Sequence, residues 1–500
     1  MEFQSSIPPA RVRQLGQGAV HPDGQFVLYW MISARRSRYN FSLERAVEWA
    51  VQLGKPLVIL EPLRAGYRWA NDRLHAFVIQ GMADNQRAFS GKAVTYYPYL
   101  ELEHAQGRGL LAALAVQSCL VVSDDFPCFF LPRMVESASR QIPCRLELVD
   151  TNGLFPMRST DRVFLRAYDF RRFLQKNLLP HLAEIPAEDP LRNVRLPKLP
   201  SLDAATTRRW PVADPAALSK DLTGLNRFGI DHSVVISPIS GGSRAAQTRL
   251  SEFIEGRLVL YGQSRNKPER DVTSGLSPYL HFGHVSTHDI FERVCKTENW
   301  TPNRVSNQTT GSARGWWNMG EAAESFLDEL ITWREVGYNM CALRSDFDQY
   351  ESLPEWARKT LDEHAGDPRP HVYDLQQLES AGTHDPLWNA AQWQLVTTGR
   401  MHNYLRMLWE KKILEWSPTP RAALQVMLEL NNKYALDGRN PNSYSGIFWV
   451  LGRYDRAWGP ERPVFGKIRF MSSENTARKL KVKRYIERFT PDRSADQQLA

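Results

Sequence analysis

What the chain lacks removes several classes of answer at once. It has five cysteines in 500 residues, Cys119, Cys128, Cys144, Cys295 and Cys341. They are scattered, odd in number and without a CxxC pair, which argues against a disulfide framework or a thiolate metal site and fits a reducing compartment. No apolar run approaches the length of a bilayer span, and the opening "MEFQSSIPPARVRQLGQG" has no apolar signal core. An unprocessed protein of the cytoplasm is expected, or of the nucleus in a eukaryote, with no signal peptide and no membrane association. No GxGxxG follows the first predicted strand, so the fingerprint of a conventional dinucleotide-binding Rossmann domain is missing.

Hydrophobic residues make up 42% and charged residues 24%, as in an ordinary globular protein. The length exceeds what one core supports, so two domains are expected. Net charge is +8, and the last forty residues hold ten Lys/Arg against five Asp/Glu. A basic end of this kind suits a polyanionic partner, although the same surplus also serves solubility.

From Phe26 short apolar runs alternate with helical ones, the signature of a parallel α/β sheet. "QFVLYWM", "PLVIL", "AVTYYPYL", "CLVVS" and "CRLELVD" read as strands; "FSLERAVEWAVQLG", "LHAFVIQGMADNQRAF" and "GLLAALAVQS" read as helices. Six prolines between Pro186 and Pro215 exclude a long helix or a central strand there. From about Ser243 only helical periodicity remains, and eleven of the fifteen tryptophans fall between Trp300 and Trp458. The predicted fold is α/β plus all-α: a Rossmann-like parallel α/β domain over 1–185, a Pro-rich linker over 186–242 and an α-helical domain over 243–500.

Several stretches of the helical half could carry chemistry. "TSGLSPYLHFG" places Ser277 as N-cap and Pro278 at the first helical position, a good seat for phosphate oxygens or simply a well-capped helix. "HFGHVSTH" sets His281, His284 and His288 at i, i+3 and i+7 of one predicted helix; with no acidic or Cys partner among them, ordinary packing outweighs a metal face. In "FLDELITWRE", Glu329 and Trp333 are four apart and share a face, either a carboxylate and ring for a nucleobase or a surface acid beside a core indole. "LNNKYALDGRNPNSYSGIFWV" is a turn-rich join that can bind the edge of a heterocycle or merely connect helices. "HDPLWNAAQWQLVTTGRMHNYLRMLWEKKILEW" contains Trp388, Trp393, Trp409 and Trp416, of which the last two, seven residues apart, lie on one stripe.

Together these motifs, with "GGSRAAQTRLSEF", "ERPVFGKIRFM", "VLYWM" and "RRSRYNFSL", resemble the photolyase/cryptochrome family over nearly the whole chain, and within it the class II cyclobutane pyrimidine dimer photolyases. The resemblance implies an N-terminal antenna domain and a C-terminal helical domain enclosing a U-shaped FAD. The flavin, active in its fully reduced anionic form, gives an electron to a pyrimidine dimer flipped out of duplex DNA. No protein nucleophile and no metal is implied, because the cofactor carries the difficult chemistry.

By residue, the resemblance assigns Tyr261, Thr273, Ser274, Leu276 and Ser277 to the flavin phosphates and ribose, with Arg439 and Asn442 as further cofactor contacts. It assigns Arg406 and Asp437 to a charged pair beside the isoalloxazine, and Asn431 to its central-ring nitrogen. Glu329 hydrogen-bonds the dimer, Trp333 and Trp449 grip it, and Met407 lines the same cavity. Trp409, Trp388 and Trp416 form, in that order outward, an electron relay, with Tyr404 as an accessory branch and Trp393 as packing. Arg456, Lys467 and Arg469, with Asp455, meet the duplex around the flipped bases. A second, antenna chromophore of 8-hydroxy-deazaflavin or folate type is implied for the α/β domain, and the molecule is expected to be a monomer. A cryptochrome-like blue-light receptor without repair activity is the alternative, and a flavin-free DNA-binding helical protein a third reading.

Overall fold

The computed structural model describes residues 5–491. Its strands are β1 Val12–Leu15, β2 Phe26–Trp30, β3 Leu57–Leu63, β4 Thr95–Leu100, β5 Ser118–Asp124 and β6 Arg145–Val149, in the sheet order β1-β6-β5-β2-β3-β4. β2 to β6 run parallel, and β1 adds an antiparallel edge against β6. All five side chains of β2 are buried, which a parallel strand covered on both faces requires. The covering helices are α1 Phe41–Leu53, α2 Asp72–Phe89, α3 Leu110–Gln117 and α4 Leu131–Ser139. Asn40 caps α1 by accepting from the Ser42 and Leu43 amides, and Gly54 ends it at φ 62°. β1 and α4 had no apolar signature to announce them: β1 buries none of its four residues, and α4 buries only Val135.

Between 186 and 242 the chain forms only short helical turns, Ala204–Arg209, Pro215–Leu218 and Leu222–Arg227 among them. Trp210, Leu225 and Phe228 from this stretch are buried against the α/β half. Beyond it the helices needed for the site are Leu258–Ser264, Glu321–Leu327, Arg334–Leu343, Pro386–Thr398, Asn403–Trp416, Pro420–Tyr434 and Pro441–Val450. Their shared apolar core also takes in Phe155, Phe164, Phe170 and Leu174.

Two buried arginines join the halves. Arg73 of α2 donates to Leu395 O (3.0 Å) and Tyr434 O (2.8 Å), placing a cation at the C-terminal ends of two helices, where it satisfies orphan carbonyls. Arg36 donates to Gly283 O (3.1 Å) and Thr151 O (3.2 Å). Gly283 has φ 71°, and a Cβ there would stand 1.9 Å from Ser33 O, so glycine is required where the helical half meets the loop after β2. That loop is held by Asp124, at the end of β5, which accepts from the amides of Ile32 (2.9 Å), Ser33 (2.8 Å) and Ala34 (3.0 Å).

The same glycine breaks the stretch predicted as one helix from Ser277 to Cys295. The structure has Ser277–His281, a turn, and Thr287–Thr297 with Ser286 as cap. His281, His284 and His288 therefore do not share a helix face. His284 and His288 are buried and His281 half-buried, all three with their pKa pushed down by desolvation and by nearby guanidiniums, and His284 Nδ1 accepts from the Gly242 amide at 2.9 Å. Among the described residues no group of His, Cys, Asp or Glu is placed to hold a metal, and no helix is long and apolar enough to cross a membrane.

Candidate functional site

One cleft in the helical half leaves about 660 Å³ of space between its walls, the open mouth included. Tyr261, Ser274, Leu276, Ser277, Glu329, Arg406, Asp437 and Asn442, far apart in sequence, all line it. Tyr261 comes from Leu258–Ser264, which continues a π-helical turn at Phe253–Arg257. Ser274 and Ser277 flank Gly275, whose φ of 66° and closeness to Arg249, 2.7 Å from an added Cβ, demand glycine. Ser277 is not the cap: it stands at the first helical position after Leu276, and its hydroxyl serves the Asp437 carboxylate instead.

Arg406 Nη2 donates to Asp437 Oδ1 at 2.9 Å. Burial would raise the Asp437 carboxyl, but the Arg406 guanidinium holds it below the usual carboxylate range. Asn431 lies just behind the wall, its amide donating to Ser443 Oγ at 2.8 Å, and Ser443 faces the cleft. Thr273 stands beside the cleft with its hydroxyl on Asp271 Oδ1 (3.0 Å). Arg439 departs from its expected place. At φ 61°, just past the Asp437-Gly438 turn, its guanidinium donates to Asn432 O and Ala435 O (3.2 Å), and it lines a different cavity.

Glu329 sits on a second π-helical turn, Asp328–Trp333, between Glu321–Leu327 and Arg334–Leu343. Such turns recur at functional sites because they re-aim side chains within a helix. Loss of water raises the Glu329 carboxyl even though Arg265 is paired with it. Trp333, half-buried, follows Glu329 on the same turn. Met407, also half-buried, is next to Arg406 but does not line the cleft.

One turn beyond Arg406 on Asn403–Trp416, the buried Trp409 stacks on Trp388 with ring centroids 6.1 Å apart and planes 8° apart. Trp388 meets Trp416 at 5.5 Å, edge to face. Asp385 starts the Trp388 helix by accepting from the Leu387 and Trp388 amides, both at 3.0 Å. The Trp388 indole donates to Trp409 O (3.0 Å) and the Trp409 indole to Gln392 Oε1 (2.9 Å). Trp393 and Tyr404 make no ring contact with these three indoles among the described residues.

At the far end of the Pro441–Val450 helix, Trp449 is flanked by two cations, Lys411 Nζ at 5.5 Å and the Arg469 guanidinium at 5.4 Å. Arg469 also lies 4.0 Å from the Trp458 ring and Arg456 4.5 Å from it, so cations and rings alternate outward from Trp449. Asp455 fixes this ladder by accepting from Arg469 Nε at 2.9 Å. Lys467 stays on the surface, paired with Glu461 at 3.1 Å.

No family model matches the chain. A deoxyribodipyrimidine photo-lyase of Methanothermobacter thermautotrophicus is 33% identical over 483 residues, 96% of this chain and 98% of that one. Proteins of the same name from Arabidopsis thaliana and Potorous tridactylus are each 31% identical over 96% of this chain, covering 92% and 84% of theirs. The chain belongs to the photolyase/cryptochrome family. Solved structures agree on the fold: a class III photolyase from Agrobacterium tumefaciens superposes with TM-score 0.64 at 17% identity, covering 93% of this chain and 86% of that one. A Synechocystis cryptochrome does so with TM-score 0.66 at 15% identity, covering 93% and 89%.

For a photolyase/cryptochrome scaffold the cleft's donor set fits a flavin dinucleotide. Hydroxyls of Tyr261, Ser274 and Ser277 gather beside the Arg406–Asp437 pair and the amides of Asn440 and Asn442. Sequence reading overlooked Arg265, Gln392, Lys411 and Trp458, which reach Glu329, Trp409, Val450 O and Arg469 across the fold. It also left unassigned a second cavity, about 770 Å³ of space with its open mouth included, walled by Phe126, Phe129, Phe130 and Tyr67 with Arg35, Arg64 and Arg439.

Proposed function

We propose that the protein is a light-driven deoxyribodipyrimidine photo-lyase of the class II type, splitting cyclobutane pyrimidine dimers in duplex DNA with FAD as cofactor. The observation that carries this reading is that Glu329 shares one cleft with the Arg406–Asp437 pair and the hydroxyl set, so a flavin and a flipped-out dimer would meet there. Bound FAD would supply the photoexcited electron. The chain's residues do the rest. Tyr261, Ser274 and Ser277 hold the phosphate and ribose portion, and Arg406 presents positive charge that favours the anionic reduced form. Asn431 offers an amide able to donate or accept as the redox state changes. Glu329, its carboxyl raised by loss of water and held by Arg265, offers a polar group at the cleft wall for the edge of the dimer. Trp333 and Trp449 supply flat apolar faces for the extruded bases. The ladder of Arg456, Trp458 and Arg469 reaches the duplex at the gap they leave, with Lys467 on its phosphates.

The Trp409, Trp388 and Trp416 rings support stepwise re-reduction of an oxidised flavin, although Trp416, expected as the outer ring, is itself buried. The aromatic cavity lies outside the carboxyl ends of β2, β3 and β5, at the point where the strand order reverses, which is where open α/β sheets take ligands. Its flat walls and three guanidiniums suit a planar antenna chromophore with an anionic tail, whether deazaflavin or folate. His281 lines this cavity and contacts Asn440 (3.1 Å), which lines the cleft, so one wall separates the two chromophores.

The test is repair of dimer-containing DNA by the chemically reduced holoprotein in blue light and in darkness. Repair confined to the lit sample is expected; equal, negligible repair in both removes the enzyme reading and leaves the photoreceptor. Glu329→Ala should retain FAD and lower the repair yield by roughly tenfold, the scale of one lost hydrogen bond to a charged or strongly polar group. An unchanged yield takes Glu329 out of the site.

A further inference from the structure

Lys411 is a lysine without any exposed surface, two residues beyond Trp409 on Asn403–Trp416. Its side chain crosses to the neighbouring helix, where Nζ donates to Val450 O at 2.6 Å and stands 5.5 Å from the centre of the Trp449 ring. Val450 is the last residue of Pro441–Val450, so the ammonium satisfies a carbonyl that the helix leaves open and sits at its negative end. The Arg469 guanidinium lies 5.4 Å from the same ring and is held by Asp455 through Nε (2.9 Å) and Nη2 (3.3 Å). Burial works against the Lys411 ammonium, and the Asp455 carboxylate supports it. Lysine is a costly way to fill such a place, since methionine or leucine would pack there without stripping a charge of water. What lysine adds is the pair of contacts at the end of one helix, a carbonyl and a ring face together.

Resting on the reading of Trp449 as one of the two rings that grip the dimer, we infer that Lys411 is the positioning residue of that clamp. It ties the Trp449 end of its helix to the helix that carries Arg406 and Trp409. The bond to Val450 O fixes the backbone beside the ring, and the cation over the indole face fixes the ring itself. A half-buried indole left without these contacts would sample other rotamers, and gripping a base would then cost the entropy of ordering it. Arg406 lies five residues before Lys411 on the same helix and lines the cleft, so the clamp is held in register with the flavin side of the site. Arg469 braces the same ring from the segment proposed to meet the duplex. Lys411 supplies the brace from the core.

The experiment is a double-mutant cycle on the FAD-loaded protein, read in the dark as affinity for a duplex carrying one thymine dimer and for the same duplex undamaged. Lys411→Met should weaken binding of the damaged duplex by roughly tenfold, within what a desolvated cation over an indole contributes. Flavin content and affinity for the undamaged duplex should stay as in the wild type. In a Trp449→Ala background the same substitution should change damaged-duplex affinity by less than about twofold, because the ring through which Lys411 acts is gone. Equal losses in the two backgrounds, the result of a merely structural role, overturn the proposal, as does no loss in the first. Where Lys411→Met fails to fold, Lys411→Gln, neutral but still a donor, takes its place in the cycle under the same two criteria. A Trp449→Ala variant that binds the damaged duplex like the wild type removes Trp449 from the clamp and the proposal with it. A weakened Trp449→Ala beside an unaffected Lys411→Met discards Lys411 alone, so the two failures are told apart.

Discussion

Glu61 in β3 and Glu410 on the helix of the relay are both fully buried acids, yet their surroundings are opposite. Glu61 receives Arg35 Nη1 (3.1 Å), Asn85 Nδ2 (2.9 Å) and the Tyr96 hydroxyl (2.6 Å). Glu410 Oε1 has no hydrogen-bond partner, because neighbouring Arg406 is committed to Asp437 and Lys411 to Val450 O. Desolvation pushes the Glu410 carboxyl up to about 8 and the Lys411 ammonium down to about 7. Asp124 and Asp125 repeat the satisfied pattern in the α/β half, the latter with both Arg13 and Arg158. The sheet half uses buried charge to fix geometry. The helical half keeps titratable groups out of balance beside the cleft and the relay, as sites that move electrons and protons do.

The strongest way to break that contrast is to strike the relay without striking the fold. Trp409→Phe keeps an aromatic ring in the core and should cost about 1–2 kcal/mol of stability. Light-driven reduction of bound FAD should drop by roughly 100-fold or more, while chemically reduced protein still repairs. Loss of repair along with photoreduction would make Trp409 a structural residue. Next in size, Glu61→Ala leaves Arg35 buried without its acid and should cost about 3–5 kcal/mol in a denaturant titration, with the photoreduction of folded protein unchanged. A cost near zero would show that the sheet half is no better matched than the helical half.

Acid probes the seam between the halves. His284 and His288 lie buried there with His281 half-buried beside them, and His75 is buried in the α/β half; desolvation is the main cause of their lowered pKa, His75 at about 4 and His284 at about 3. An unfolded histidine binds its proton near pH 6.5, so these four contribute stability above that pH and withdraw it as pH falls toward their folded values. Each withdraws up to about 1.4 kcal/mol per pH unit. The melting temperature should fall between pH 7 and pH 5, and a flat profile would mean the rings take up protons in the fold as readily as in the unfolded chain.

How much of this the sequence disclosed depends on the range of the interaction. β2, β3 and β5 were legible as unbroken apolar runs, and Gly54 and Asp385 announced helix ends because capping is local. The shared stripe of Trp409 and Trp416 was visible as a spacing of seven, but their electronic role came only with the family resemblance. The break at Gly283 was hidden because "HFGHVSTH" keeps helical periodicity across it; what forces the turn is Ser33 O from the other half of the chain. The two π turns and the placing of Arg439 on the second cavity were equally beyond local pattern. Each depends on partners brought up by tertiary packing.

Glu410→Gln is the smallest change and the sharpest test of the contrast, since it alters one proton and no volume. In the wild type the fold holds Glu410 protonated up to about pH 8, whereas the unfolded chain releases that proton near the ordinary glutamate value. Its contribution is therefore fully present below about pH 4.5 and is lost as pH rises through 8. Glutamine has nothing to release, so the variant should lie within about 1 kcal/mol of wild type near pH 4.5, where the unfolded glutamate is itself half protonated. It should gain relative stability steadily toward pH 8. The Arg406–Asp437 pair is untouched and flavin binding should stay as it was. A variant that loses stability at every pH, by the margin expected for Glu61→Ala, would mean that Glu410 is ionised and paired after all, and the two buried acids would cease to differ.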